Sequence, residues 1–209
     1  MGVPLQAKLS LIIGLAVIVG SANPVLFPLE LQSEPTKVSL DTLIIFGGGI
    51  IGYALYQYLL NSFTSNDAAA NWILRASRLL KGVVFAWVLP ALIILFWYLP
   101  SSVTFSFSSV LGAILEVFSM AVAGILAGLS WGGMSKAMHS ATLFTVFFMS
   151  GTMGELLTEE GGINVFGTPN YFPYYNQAQL LYTGYMMWVI SLIPVTFYAV
   201  KMLRDIGLF

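Results

Sequence analysis

One carboxylate, Glu116, lies well inside a long apolar run at residues 107–131. It is roughly nine residues from the outer end of that run, about 13 Å deep at 1.5 Å per residue. A carboxyl group at that depth must face protein or water, and must pair or stay protonated. Two readings stand: a contact for a proton or a substrate, or a neutral acid hydrogen-bonded to a neighbouring helix. His139 is the sole histidine. Bis-histidine haem ligation and a di-histidine metal site within the chain are therefore excluded. His139 is read as an interfacial residue beside Lys136, with a ligand for another subunit's metal as the alternative. Ser150-Gly151 has the form of a serine-protease turn, but its histidine would lie on the same or an adjacent helix. Glu159-Glu160 lacks the arginine and histidines that would complete a metalloprotease pattern. Cysteine is absent, which removes disulfides, thiolate metal sites and cysteine nucleophiles. No catalytic residue, metal site or cofactor is expected in this chain.

The elements that must position Glu116 are membrane helices. Hydrophobic residues make up 58% of the 209 residues and charged residues only 8%, with a mean hydropathy of +0.87. One soluble core could not hide so much apolar surface. A helix needs about 20 apolar residues to cross the hydrocarbon. Such runs are expected at 9–27, 43–60, 83–99, 107–131, 137–153 and 180–200. The ten-residue alternation of a membrane barrel is missing. The fold class expected is all-α, a polytopic bundle of about six spans forming a single membrane domain over 1–209.

Basic residues set the orientation. Lys8, Arg75, Arg78, Lys81, Lys136, Lys201 and Arg204 fall on one side of these spans, and Lys37 alone on the other. Both termini are expected in the cytoplasm, in a plasma or inner membrane. The first span lacks a small-x-small cleavage site and carries Asn23-Pro24 late in its run, so it is expected to be retained. The basic residues are too few for a nucleic-acid footprint.

Three stretches between spans are polar: 28–41, 61–81 and 154–179. The first is expected as an acidic outer loop. The second reads as a short cytoplasmic amphipathic helix, capped by Asn66 or Asp67. Trp72, Ala76 and Leu79 or Leu80 share one face, and Arg75, Arg78 and Lys81 edge the polar side. It is either an interfacial anchor or a docking element for a cytoplasmic partner. The third stretch is rich in Gly, Pro and Tyr, and too apolar for a solvated linker. It is expected to fold back to the outer surface as short or re-entrant helices, or to form an aromatic belt. Gly124, Gly128 and Gly132 repeat every four residues, as do Gly48 and Gly52. Such stripes let helix backbones approach closely, within a bundle or an oligomer. Gly47-Gly48-Gly49 lacks the ending of a phosphate loop.

The order of parts resembles the membrane domains of type-2 ABC exporters, the ABC-2 permeases. The stretch from Thr64-Ser65-Asn66-Asp67 through Arg75-Ala76-Ser77-Arg78-Leu79-Leu80-Lys81-Gly82 is similar to that family's entry into its third span. Phe148-Met149-Ser150-Gly151 is similar to the end of its fifth, and 154–179 stands where its re-entrant outer helices lie. The resemblance implies six spans, with both termini inside. It also implies a cytoplasmic coupling helix, carrying Trp72, Arg75, Arg78 and Lys81, and a separate ATPase chain. The working unit would be two permeases and two ATPases in the lipid bilayer. A non-catalytic integral subunit of a respiratory, photosynthetic or secretory complex is the main rival. A small ion- or proton-coupled carrier using Glu116 is the third reading.

Overall fold

The computed structural model describes residues 5–62, 68–77, 82–163 and 175–205. Among them the secondary structure is helical: α1 (Leu5–Ser21), a 3-10 turn (Pro24–Leu26), α2 (Phe27–Gln32), α3 (Glu34–Ser62), α4 (Ala68–Ser77), a π-helical turn (Val84–Val88) running into α5 (Leu89–Trp97), α6 (Pro100–Ser108), α7 (Val110–Gly133), α8 (Lys136–Ile163) and α9 (Gln177–Asp205). Four runs are long and apolar enough to cross a bilayer: Leu5–Gln32, Glu34–Leu60, Val110–Gly133 and Gln177–Lys201. Val84–Trp97 and Ser101–Ser108, bent by 69° at the break between them, make a fifth if they are one broken span. The protein is an all-α membrane protein.

Proline writes the breaks. Asn23 precedes Pro24, and the residue before a proline is pushed out of the α region; Asn23 has φ −69° and ψ 124°. Its Oδ1 accepts the Val25 N–H at 3.0 Å and restarts the chain as a 3-10 turn, so the apolar run 9–27 is interrupted. Leu99 before Pro100 is likewise extended, with φ −71° and ψ 141°, and it ends the helix that began at Val84. Pro90 has no N–H to give. The π-helical turn just before it carries the Leu89 N–H to the Val84 carbonyl, a local widening of the kind that admits such a residue. Ser109, also extended, caps α7 by accepting the Gly112 N–H at 2.9 Å. The expected span 107–131 therefore divides: 107–108 belong to α6, and the long helix starts at Val110.

The expected outer loop 28–41 is helical as well. Ser33 Oγ accepts from the Thr36 N–H at 3.4 Å and from Thr36 Oγ1 at 2.9 Å. Glu34 and Pro35 fill the first turn of α3, where a missing N–H is harmless and an acidic side chain suits the helix dipole. The expected outer loop 154–179 starts later than expected, since α8 continues through Ile163.

The chain divides into two compact units, one made of Met1–Pro28 and Ser39–Met134, the other of Leu29–Val38 and Ser135–Phe209. The core of the first centres on Ile44, Trp97 and Met120, with Ile45, Ile93, Val117 and Ala121 packed around them. In the second, α8 and α9 form an antiparallel pair. Gly154 abuts the Gly184 carbonyl, while Gly151, earlier in α8, faces Ser191, later in α9.

Candidate functional site

In the first unit, Glu116 belongs to the buried stripe of α7. Gly112, Glu116, Met120, Gly124 and Gly128 recur every fourth residue, and all are buried. That period stacks side chains on one helix face. Glu116 is 6% exposed and sits about 9 Å from the start of α7 at 1.5 Å per residue. Its carboxyl group is turned into protein, away from the apolar outer face formed by Leu111, Ile114 and Phe118.

The same stripe meets α3 through glycine. A Cβ on Gly124 would strike the Ile45 carbonyl, one on Gly128 the Gly49 carbonyl, and one on Gly132 the Tyr56 ring. From the other side, Gly48 lies against Ala121 and Gly52 against Ile125. Residue numbers rise together along the seam, so α3 and α7 run parallel. A second glycine contact brings α1 onto α3, where Gly14 faces the Gly47 carbonyl.

Where the broken helix packs on α7 it supplies polar groups. Trp97, 4% exposed, donates its indole N–H to Ser119 Oγ. Ser119 Oγ in turn donates toward the Leu115 and Glu116 carbonyls. Tyr98 donates its hydroxyl to Asp41 Oδ2 at 3.1 Å, and Asp41 is 4% exposed. Ser102 and Ser106 of α6 are buried too. In a bilayer such groups must be satisfied within the protein, and α5, α6 and α7 do this with side-chain hydroxyls and helix carbonyls.

At the other end of α7, α4 is held in place. Ser130 Oγ donates to the Ser77 carbonyl at 3.1 Å, and both serines are buried. Gly82, with φ +91°, packs against Met134 and Ser130. That φ is in the left-handed region, where any side chain is strained. With this end anchored, Trp72 is 70% exposed and Arg75 is exposed.

The second unit holds a separate polar cluster. Thr183, fully buried, donates to Glu34 Oε2 at 3.1 Å and to the Gln179 carbonyl at 2.9 Å. Tyr175 donates to the Glu30 carbonyl at 2.7 Å, and the Gln179 amide donates to the Gln32 carbonyl. Glu34 and Lys37 are each 3% exposed. Among the described residues no group of three or more His, Asp or Glu could hold a metal ion.

A family model described as "Protein of unknown function (DUF1404)" matches residues 12–205. The chain belongs to this family. The match takes in the glycine seam, Glu116, α4 and the Glu34–Thr183 cluster. No curated protein and no solved structure matches the chain.

The structure thus gathers Gly48, Gly52, Gly124, Gly128 and Gly132 at one α3–α7 seam, with Glu116 on the same buried face of α7. It places Trp72 and Arg75 on α4, at the far end of that seam. Arg78 and Lys81, the caps Asn66 and Asp67, and the stretch 164–174 lie outside the described residues. His139 and Ser150 lie on the same helix, α8, about 16 Å apart along its axis at 1.5 Å per residue, so they form no dyad. Sequence reasoning missed Glu34 and Lys37 as buried groups, having read 28–41 as an acidic outer loop. The signal was present: Ser33-Glu34-Pro35 is a helix start, with a capping hydroxyl, an acid and a proline in order.

Proposed function

We propose that this chain is the membrane permease subunit of an ABC-type exporter and works with a separate ATPase chain in the cytoplasm. The observation that carries this reading is α4. It is a short helix between the second and third apolar segments, anchored at Ser77 to Ser130 of α7, with Trp72 and Arg75 exposed. A lever needs one rigid attachment and one free face, and α4 has both. Force applied at Trp72 would pass along α7 toward Glu116 and the α3 seam. The bent helix pair at 84–108 supports the same reading, since interrupted helices line sites within transport proteins.

Removing an aromatic–arginine pair from the centre of a docking face weakens binding by about tenfold or more. Trp72→Ala with Arg75→Glu should therefore weaken association with a copurifying ATPase by about that factor, and lower coupled ATP hydrolysis, while membrane insertion is unchanged. Copurification of a cofactor-bearing enzyme in place of an ATPase would instead establish the accessory-subunit reading.

In this reading the 28-residue α8 is the fifth span, paired antiparallel with α9 as the sixth, and both termini are cytoplasmic. Reporter fusions after Phe209 and within 164–174 should then show opposite sidedness. The same sidedness at both sites would reject six spans. The basic asymmetry that predicts this orientation is carried by exposed side chains at Lys8, Arg75, Lys201 and Arg204, as the positive-inside rule requires.

A further inference from the structure

Glu34 is a buried acid of the second unit that the exporter reading leaves unused. It is 3% exposed, yet it opens α3, and the apolar run of that helix begins nine residues later, at Leu43. At 1.5 Å per residue it stands about 13 Å beyond that run, near the aqueous boundary. Burial and the Thr183 hydroxyl act on its carboxyl group, and among the described residues no cation does. A buried carboxyl with no cation beside it is held in its neutral form. We infer that Glu34 is a proton-binding site, loaded and unloaded where α2, α3 and α9 meet without rearrangement of those helices.

Thr183 accommodates both forms of the carboxyl group. Its Oγ1 lies 3.1 Å from Glu34 Oε2 and 2.9 Å from the Gln179 carbonyl. A hydroxyl has one hydrogen and two lone pairs, so only one of these contacts takes that hydrogen at a time. With Glu34 protonated, the acid donates to Thr183 and Thr183 donates to the Gln179 carbonyl. With the proton passed to water, the Thr183 hydroxyl turns and donates to the carboxylate. The Gln179 carbonyl then keeps the helical N–H of Thr183. Both states are satisfied by one hydroxyl rotation. Gln179 adds an acceptor for the hydrated proton. Its amide N–H donates to the Gln32 carbonyl, and its Oε1 is a buried oxygen that no protein group satisfies. Gln179 and Thr183 are four residues apart, on one face of α9. Other ionisable groups on the elements that meet here are Glu30, Lys37, Asp41 and Tyr175, with Glu155 on α8 behind α9. Tyr175 donates to the Glu30 carbonyl, Asp41 accepts from Tyr98 and Glu155 accepts from Trp188. Tyr182 and Tyr185 of α9 are exposed. Lys37 is not among the groups that act on the Glu34 carboxyl. The inference stands whether or not the chain is an exporter.

The full-length protein is reconstituted in phosphatidylcholine vesicles, and infrared difference spectra are recorded between wild type and Glu34→Gln, whose amide can still donate and accept. At neutral pH the difference should contain the C=O band of a protonated carboxyl group. Carboxylate bands in its place would overturn the site. Thr183→Val removes the hydrogen-bond partner and should shift that band to higher frequency. This second variant assigns the band if Glu34→Gln fails to accumulate, and an unshifted band would overturn the pairing with Thr183. Transfer to alkaline buffer should replace the acid band by carboxylate bands, and neutralisation should restore it, with tryptophan fluorescence unchanged throughout. A band that survives until the protein unfolds would mark a fixed structural proton and reject reversible binding.

Discussion

Gly124→Ala and Gly128→Ala should each destabilise the protein by about 1–3 kcal/mol, the usual range for overpacking a tight contact. The added methyl groups would meet the backbone carbonyls of Ile45 and Gly49. A carbonyl in a helix cannot swing aside as a flexible side chain can, so α3 and α7 would have to separate. Without a hydrophobic force between helices in lipid, close packing is what holds such a pair together. Separation would therefore be felt along the whole seam, including at Glu116. Two neighbouring glycines serve as controls. A Cβ on Gly49 would meet only the Gly124 carbonyl at 3.8 Å, and one on Gly20 would meet nothing within 4 Å. Alanine at either position should be neutral or slightly stabilising, because glycine in a helix interior is worse than alanine by roughly 0.5–1 kcal/mol. The sharpest comparison is Gly48→Ala against Gly49→Ala. These are adjacent residues with the same mutation, and only the first points into Ala121. Unfolding in mixed micelles under rising SDS, followed by tryptophan fluorescence, reads all five variants. If Gly128→Ala were as benign as Gly20→Ala, α3 and α7 would not be in contact as described.

That seam was legible because glycine spacing translates directly into geometry. A four-residue repeat on two apolar helices leaves few places for the helices to touch, and Gly48, Gly52, Gly124 and Gly128 sit at those places. The short helix around Trp72 was legible from its face pattern, and α4 lies there at Ala68–Ser77. The helix breaks were written less plainly. Phe107 adjoins the apolar run that follows it, so hydropathy alone places the start of the fourth span at 107, whereas the Ser109 cap begins it at Val110. Charge misled at 28–41. Glu34, Lys37 and Asp41 look like loop residues by type, yet they fall at helical intervals on α3 and are buried. The α8–α9 seam was hidden for a different reason. Its glycines, Gly154 and Gly184, stand one on each helix, so no repeat within either helix announces it.

Glu34→Leu should destabilise the second unit by about 1–3 kcal/mol, the range for leaving a buried hydrogen-bonding group without its partner. Glu34 and Lys37 are three residues apart on α3, an interval that puts them on one helix face, and each is 3% exposed. Leucine at 34 removes the carboxyl group from that face. It also takes away the acceptor for the Thr183 hydroxyl, whose other acceptor is the Gln179 carbonyl of its own helix. Losing the bond to Thr183 alone is worth less, about 0.5–1.5 kcal/mol for a hydrogen bond between side chains. Thr183→Val isolates that smaller part and leaves the charges untouched. The double replacement, Glu34→Leu with Lys37→Met, tests whether the two side chains act together, since an apolar pair of similar volume often substitutes for a buried ionic one. The measured quantity is the coupling energy of this double-mutant cycle. A coupling above roughly 1.5 kcal/mol would place the two side chains in one electrostatic unit at the start of α3. Strict additivity would mean that Lys37 is balanced by other groups, and that Glu34 acts only through Thr183.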